Sequence, residues 1–429
     1  MTAPLPIPDG QELDRYSIHS LDTDIEREAG DVRATEDRKE YEMGSGKGKG
    51  VLDGVVTRTS TKASWKDPGP PPDGGMGAWL QVLYGHLVIM NTWGFINSFG
   101  VFQTYYVSSL NRAPSDISWI GSVQIFCLFF VGTFSGRLTD AGYFRPIFIG
   151  GSILGVIGLF MTSLSKTYLQ IFLAQGVCCG LGNGCIFCPS VALISTYFSK
   201  KKSLAIGICA AGSATGGIVF PLMVQQLLPK IGFAWTIRSL AFIQLGSLAV
   251  CCVGIKPRVP PRRTGAIIDI ASFKDVPYIL FAIAMFFTFL GTYIAFYYVG
   301  SFARSIIGLP YAESINLLVC MNAVGVIGRV LPSYLADRYF GPLNTVIPAV
   351  IISSLLAFCW IAVDSRAGLY IWAVFYGISS ACIQGMFPAA LSTFTTDLSK
   401  AGTRLGQVFT VQLKAGLANL NKLPLVDSF

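Results

Sequence analysis

Arg329 is the one cation of an otherwise apolar segment, residues 312–336. An unpaired guanidinium at such a place is costly, so it faces either a cavity or a partner. The nearest candidate partner in the chain is Asp337. A second chemistry lies in two short loops, one with Asp140 and Arg145, the other with Asp337 and Arg338. A carboxylate and an arginine at the rim of a helical bundle can exchange partners at modest cost in each arrangement. The alternative is a pair of solvated loop charges. A third set consists of polar residues inside apolar segments: Asn97, Gln175, Asn183, Asn322 and Gln384, with Tyr293, Tyr297 and Tyr298. Aromatic rings with a few placed polar groups suit a flat organic ligand. Any single one of them can equally serve as an interhelical hydrogen bond. No Cys/His/Asp cluster or Ser/His pair stands at catalytic spacing, so the chain reads as neither an enzyme nor a metal or cofactor protein. His86, the one histidine outside the N-terminal tail, is not assigned a proton relay.

The elements that must position these residues are long apolar segments. Ten follow from Trp79 onward, at 79–107, 117–138, 146–165, 168–198, 203–228, 233–255, 276–303, 312–336, 343–363 and 368–396. About 20 residues of helix cross a bilayer core of about 30 Å. The pattern repeats. Gly136-Arg137-Leu138-Thr139-Asp140-Ala141-Gly142-Tyr143-Phe144-Arg145-Pro146 returns as Ser333-Tyr334-Leu335-Ala336-Asp337-Arg338-Tyr339-Phe340-Gly341-Pro342. Pro189 with Ser195-Thr196-Tyr197-Phe198-Ser199-Lys200 returns as Pro388 with Ser392-Thr393-Phe394 and Ser399-Lys400. The two echoes have nearly the same offset, which implies two membrane halves of about six helices each. The second half supplies about four before the pattern stops near Phe409. Two halves of this kind form a transporter-like architecture.

Composition agrees. Hydrophobic residues make up 52% of the chain and the mean hydropathy is +0.55. Residues 1–78 carry 10 Lys/Arg against 15 Asp/Glu, and the rest 22 against 9. The excess of positive charge therefore sits in loops between spans and does not point to nucleic acid. One set of alternate loops holds Arg145, Lys200, Lys201, Lys202, Lys256, Arg258, Arg262, Arg263, Lys274, Arg338, Lys400 and Arg404. The other holds Arg112, Lys166, Lys230, Arg304 and Arg366. The positive-inside rule makes the first set, and with it the N-terminus, cytoplasmic. No Asn-x-Ser/Thr sequon gives an independent check. The eleven cysteines lie in or beside apolar segments without extracellular pairing patterns, which suits reduced thiols.

The expected organisation is a disordered cytoplasmic tail over 1–72, a six-helix bundle over 73–255 and a cytoplasmic linker over 256–275. An incomplete second bundle of about four helices follows over 276–409, then an aberrant polar end over 410–429. That end, with two Lys, a Pro and an Asp, cannot form a normal span. An altered reading frame or splice form is the favoured reading, a natural ten-span chain the other.

Two stretches carry a family resemblance. Asp73-Gly74-Gly75-Met76-Gly77-Ala78-Trp79 precedes the first span, and Tyr197-Phe198-Ser199-Lys200-Lys201-Lys202-Ser203-Leu204-Ala205-Ile206-Gly207-Ile208-Cys209-Ala210-Ala211-Gly212-Ser213-Ala214-Thr215-Gly216 joins the fourth to the fifth. Together they resemble the two signatures of the monocarboxylate porter family, in its fungal branch, within the major facilitator superfamily. The Asp140 loop resembles the loop between helices two and three of that superfamily. The resemblance covers about 73–409. It implies an all-α membrane protein with two pseudo-symmetric helical bundles, about ten spans present of an expected twelve, and alternating access. Val326-Ile327-Gly328-Arg329 aligns with the helix whose arginine is implicated in binding a substrate carboxylate, and a guanidinium's fixed fork of donors suits that role. The acidic partner tied to proton coupling is replaced by Gly325, and the anion-binding lysine of the first helix by Asn97. A larger or less charged substrate than lactate is therefore expected.

The expected function is secondary active transport of a small organic solute: efflux of a secondary metabolite, or transport of an organic acid, with H+ as driving ion. The expected location is the plasma membrane. The binding set is Arg329, Asn97, Asn183, Tyr293, Tyr297 and Gln384, and the gating set Asp140, Arg145, Asp337 and Arg338. The alternative is a non-transporting membrane protein: a sensor, a partner subunit or an inactive truncated isoform. Gly207, Gly212, Gly216 and Gly217 form a small-residue face that lets helices approach closely in lipid. Gly180, Gly182 and Gly184 do the same in the preceding helix, with pure packing as the better reading.

Overall fold

The computed structural model describes residues 69–259 and 274–394, together with Arg404 and Val408. Expectations for the tail up to residue 68, for 260–273 and for the end 410–429 lie outside the described residues, as does the side chain of Tyr297.

Among the described residues every regular element is helical. Eight helices are long and apolar enough to cross a bilayer. One of these, Lys202–Gly254, contains Gly232 at φ 72° and ψ 172°, so it is two helices, α5 (202–231) and α6 (233–254), folded about that glycine. Only a residue without a Cβ takes that φ freely. The others are α2 (Pro114–Asp140), α3 (Phe144–Leu164), α4 (Tyr168–Ser195), α7 (Val276–Ser305), α8 (Ala312–Phe340), α9 (Pro342–Ala362) and α10 (Arg366–Thr393). Before them runs α1, residues 75–110, interrupted by a π-helical stretch at Met90–Gly94. These are the ten segments read from the apolar pattern.

Local chemistry sets several ends. Pro114 and Pro342 start α2 and α9, where the missing N–H costs no helical bond. A capping box joins Thr167 and Gln170 at the start of α4.

The two halves repeat their packing. α2 lies on α4 and α3 on α4; in the same way α8 lies on α10 and α9 on α10. Glycine makes the backbones touch. A Cβ on Gly182 would stand 2.5 Å from the Gly155 nitrogen of α3, and one on Gly184 2.8 Å from the Leu128 oxygen of α2. These positions serve packing between the helices. The face on α5 divides in two. Gly212 and Gly216 meet the α1 backbone at His86 and Gly94, whereas Gly207 and Gly217 meet α8 at Ser333 and Asn322. α5 is thus a main element through which the first half touches the second.

The Asp73-Gly74-Gly75 stretch forms a strap across the basic end. Asp73 and Gly75 have φ of 51° and 80°, the left-handed region that Asp tolerates and Gly prefers. In this conformation the Asp73 carboxylate accepts the Ser199 and Lys200 backbone N–H groups, the latter at 2.7 Å. Arg258 donates to the carbonyls of Thr196 at 2.9 Å and Pro70 at 2.7 Å. The signature before α1 is therefore bolted to the α4–α5 junction that carries the second signature.

Candidate functional site

A cavity lies between the halves. From the first half its wall takes Trp93 of α1, Phe129 of α2, Phe187 of α4 and Ser213 of α5. From the second it takes Phe289 and Tyr293 of α7, Arg329 of α8, and Gln384 and Phe387 of α10. The wall is mostly apolar, aromatic and aliphatic, with Gln384 hydrogen-bonded to Arg329.

Arg329 is 2% exposed. Its Nη1 donates to the Gly325 carbonyl at 3.1 Å and its Nη2 to Gln384 Oε1 at 2.8 Å, while Nε is buried without a hydrogen-bond partner. Both acceptors are neutral. The expected alternative, a pair with Asp337, is absent: that carboxylate accepts the backbone N–H groups of Ser203 at 2.9 Å and Leu204 at 2.8 Å. Two glycines make room for the guanidinium side chain. An added Cβ at Gly325 would stand 2.7 Å from Arg329 Nη1, and one at Gly385 3.1 Å from Arg329 Cγ. Tyr293 lines the same cavity from α7.

Of the six expected binding residues, Arg329, Tyr293 and Gln384 meet at this cavity. Asn97 and Asn183 are not among its lining residues. Asn97 is partly buried in α1. Asn183 is 6% exposed and lies toward Gly155 of α3, inside the first half. The α4 residues at the wall are Phe187, Val191 and Ile194; Asn183, one turn before Phe187 on the same helix, packs toward α3 instead. Tyr297 has no described side chain. Gln175 accepts a hydrogen bond from Tyr106 at 2.6 Å, and Asn322 packs against Gly217. Gln175 thus makes the interhelical hydrogen bond expected of such a residue, whereas Asn322 bonds the Leu318 carbonyl of its own helix at 2.9 Å and meets α5 by packing alone.

The rim residues fall differently. Asp337 and Arg338 sit on a π-helical turn, Ala336–Phe340, at the end of α8. The first four N–H groups of a helix have no acceptor within it, so Asp337 binds α5 where donors are free and the helix dipole is positive. This contact joins the two halves. Arg338 is instead held on its own helix, donating to Tyr334 Oη at 2.7 Å and lying over the Tyr339 ring at 5.4 Å. Asp140 ends α2, and Arg145 is exposed in the first turn of α3. The ion pairs Arg112–Asp116 at 3.9 Å and Arg366–Glu313 at 3.2 Å sit at helix starts on the side of the less basic loops.

Trp93 escaped the sequence reading, as did the space around Arg329 left by Gly385. A tryptophan in an apolar run carries no periodic signal of its own. Its π-helical surroundings, a feature frequent at functional sites, exist only in three dimensions.

Known proteins bear on this geometry. The family model described as Major Facilitator Superfamily matches residues 85–417. An MFS-type transporter of Gibberella zeae is 50% identical over 347 residues, 80% of this chain and 78% of that one. The aspyridones efflux protein of Emericella nidulans is 36% identical, covering 81% of this chain and 71% of that one. The agnestins efflux protein of Paecilomyces divaricatus is 38% identical, covering 79% and 78%. Among solved structures, a human organic anion transporter superposes with a TM-score of 0.63 at 13% identity, over 82% of this chain and 91% of that one. This last likeness concerns the fold.

Proposed function

The chain belongs to the major facilitator superfamily and is a multi-pass membrane transporter of a small organic solute, and on that premise we propose that it exports an organic anion by alternating access. We assign it to the monocarboxylate porter type on its two signature stretches. The supporting observation is Arg329, a buried cation whose hydrogen-bond partners are neutral and whose Nε has none. A guanidinium inside a membrane protein is kept where a counter-charge arrives, and a carboxylate or other oxyanion presents two acceptors to its fork. Gln384 orients the fork from α10 and Tyr293 approaches it from α7.

Export is supported by the two relatives named as efflux proteins. The basic rim faces the cytoplasm under this reading, with the N-terminus on the same side and the plasma membrane as the location. Asp337 is then a gate latch: its bonds to α5 close one path between the halves and must break when the cytoplasmic side opens. Asp140, in the matching loop of the first half, has the matching role, with Arg145 and Arg338 as exchange partners. H+ is the driving ion, carried by a group other than residue 325, where the glycine has no side chain to ionise.

Counterflow in proteoliposomes, with a panel of labelled organic acids and their amides, tests the reading. Arg329→Gln is expected to abolish exchange of acids while the size-exclusion profile of the purified protein stays unchanged. Equal activity in the variant would remove Arg329 from the site. A pH gradient that leaves net flux unaltered would remove H+.

A further inference from the structure

Trp93 and Tyr293 stand nearly parallel in the cavity wall, with ring centroids 6.1 Å apart and 12° between their planes. One belongs to α1 of the first half, the other to α7 of the second. We infer that these two rings are a clamp for a planar aromatic anion, which enters between them and presents its charge to Arg329; the anionic part of this inference rests on the reading above.

Each ring is held in orientation by its neighbours. Phe187 meets Trp93 edge-on at 5.8 Å, 71° between planes. Phe289 backs Tyr293 at 5.8 Å and 26°, and is itself fixed edge-on by Phe387 at 5.5 Å. Trp93 projects from the π-helical turn Met90–Gly94, whose last residue packs on Gly216 of α5. The rings therefore offer flat faces with little rotational freedom. Such faces favour a flat π-system over a saturated ring of the same size, because parallel aromatic contact adds to plain area burial.

The spacing also bears on movement. A third ring between two others needs about 7 Å between their faces, two carbon contacts of about 3.5 Å each. Nearly parallel rings with centroids 6.1 Å apart form an offset pair that stacks on itself, so a ligand has to part them to enter. Inserting a ligand thus pushes α1 from α7, and its binding energy acts directly on the distance between the halves. A ligand of this class both fills the site and biases the transition that carries it across.

The test is calorimetric binding to the purified protein of three probes: 2-naphthoate, decahydro-2-naphthoate and 2-naphthamide. The first is flat and anionic, the second anionic and saturated, the third flat and neutral. The expected order puts 2-naphthoate about tenfold or more tighter than the saturated acid, from two added ring faces. Trp93→Leu should remove that advantage while changing the saturated acid's affinity less than twofold, and Trp93→Phe should keep most of it. Equal binding of the two acids by the unaltered protein, with both lost in Arg329→Gln, overturns the clamp and leaves the anion site standing. A tenfold preference for flat probes that Arg329→Gln does not alter overturns the anion reading and leaves the clamp. Failure of all three probes to bind overturns both.

Discussion

The guanidinium of Arg329 occupies the place that a side chain at residue 325 would take. It donates to the Gly325 carbonyl at 3.1 Å, with Nη1 2.7 Å from the position of an added Cβ. Glycine at 325 therefore does more than omit a charge: it lets the arginine fold back along its own helix toward Gln384. Gly325→Ala should displace the fork, at an overpacking cost of about 1–3 kcal/mol. Gly325→Asp should go further, because a carboxylate four residues before an arginine lies on the same helix face. The new pair would satisfy Arg329 from within, and affinity for an organic anion such as 2-naphthoate should fall at least about tenfold, one 1.4 kcal/mol step. Undiminished affinity in Gly325→Asp, measured by calorimetry, would show that the guanidinium does not hold the anion.

Asp337 supplies the acceptors for two amides at the start of α5 that no helical carbonyl can reach. Hydrogen bonds to a charged group contribute about 1.5–3 kcal/mol, so Asp337→Ala should speed deuterium exchange at Ser203 and Leu204 by about tenfold or more. Asp337→Asn, which keeps an oxygen acceptor, should fall between the two. In transport the alanine variant should lose turnover more than affinity, since the latch lies away from the cavity wall. Exchange at these amides that is indifferent to the substitution would remove Asp337 from the α5 contact in the working protein.

What could be read in the sequence divides along physical lines. The ten segments were legible because the bilayer imposes one length and one composition on every span, and Gly232, within the fifth and sixth, bends where the reading broke them. Arg329 was legible because a cation there is costly and needs a reason. Asn97 and Asn183 were chosen by the same logic, but an amide is satisfied by a neighbouring helix far more easily than a guanidinium is, and Asn183 turns toward Gly155. Trp93 was invisible for the opposite reason: nothing distinguishes a tryptophan that lines a cavity from one that fills a core until α7 places Tyr293 parallel to it. The partner of Asp337 was likewise hidden, since it is backbone and not side chain. A search for an opposite charge passes over a helix N-terminus.

Gly207 is the closest approach of α5 to α8 near the latch. An added Cβ would overlap Ser333 Oγ and stand 2.6 Å from the Arg329 carbonyl oxygen. The Arg329 backbone cannot move without moving the cavity wall. Gly207→Ala is therefore expected to separate the two helices, cost about 1–3 kcal/mol in stability, and favour the state open at the basic rim. Distances between spin labels placed at that end of the two halves should lengthen. Ser333→Ala in the same chain should restore only part of the original spacing, because the carbonyl contact remains. Full recovery would assign the whole clash to the serine hydroxyl.

The strap before α1 can be tested through its two anchors. Asp73 holds the α4–α5 junction by the amides of Ser199 and Lys200, and Arg258 holds the strap by carbonyls at its start and at Thr196. Asp73→Ala removes the acceptor for two amides and leaves a residue at φ 51° without the bonds that hold it there. The expected loss is about 1–3 kcal/mol, read as a lower midpoint of thermal inactivation in detergent. Asp73→Asn, which keeps an acceptor oxygen and tolerates the left-handed region, should lose less. Because the same segment is released when either anchor fails, Arg258→Ala combined with Asp73→Ala should cost less than the sum of the two singles, as expected for coupled sites. Strictly additive losses would mean that Asp73 and Arg258 stabilise separate parts of the basic end, and that the strap does not act as one unit.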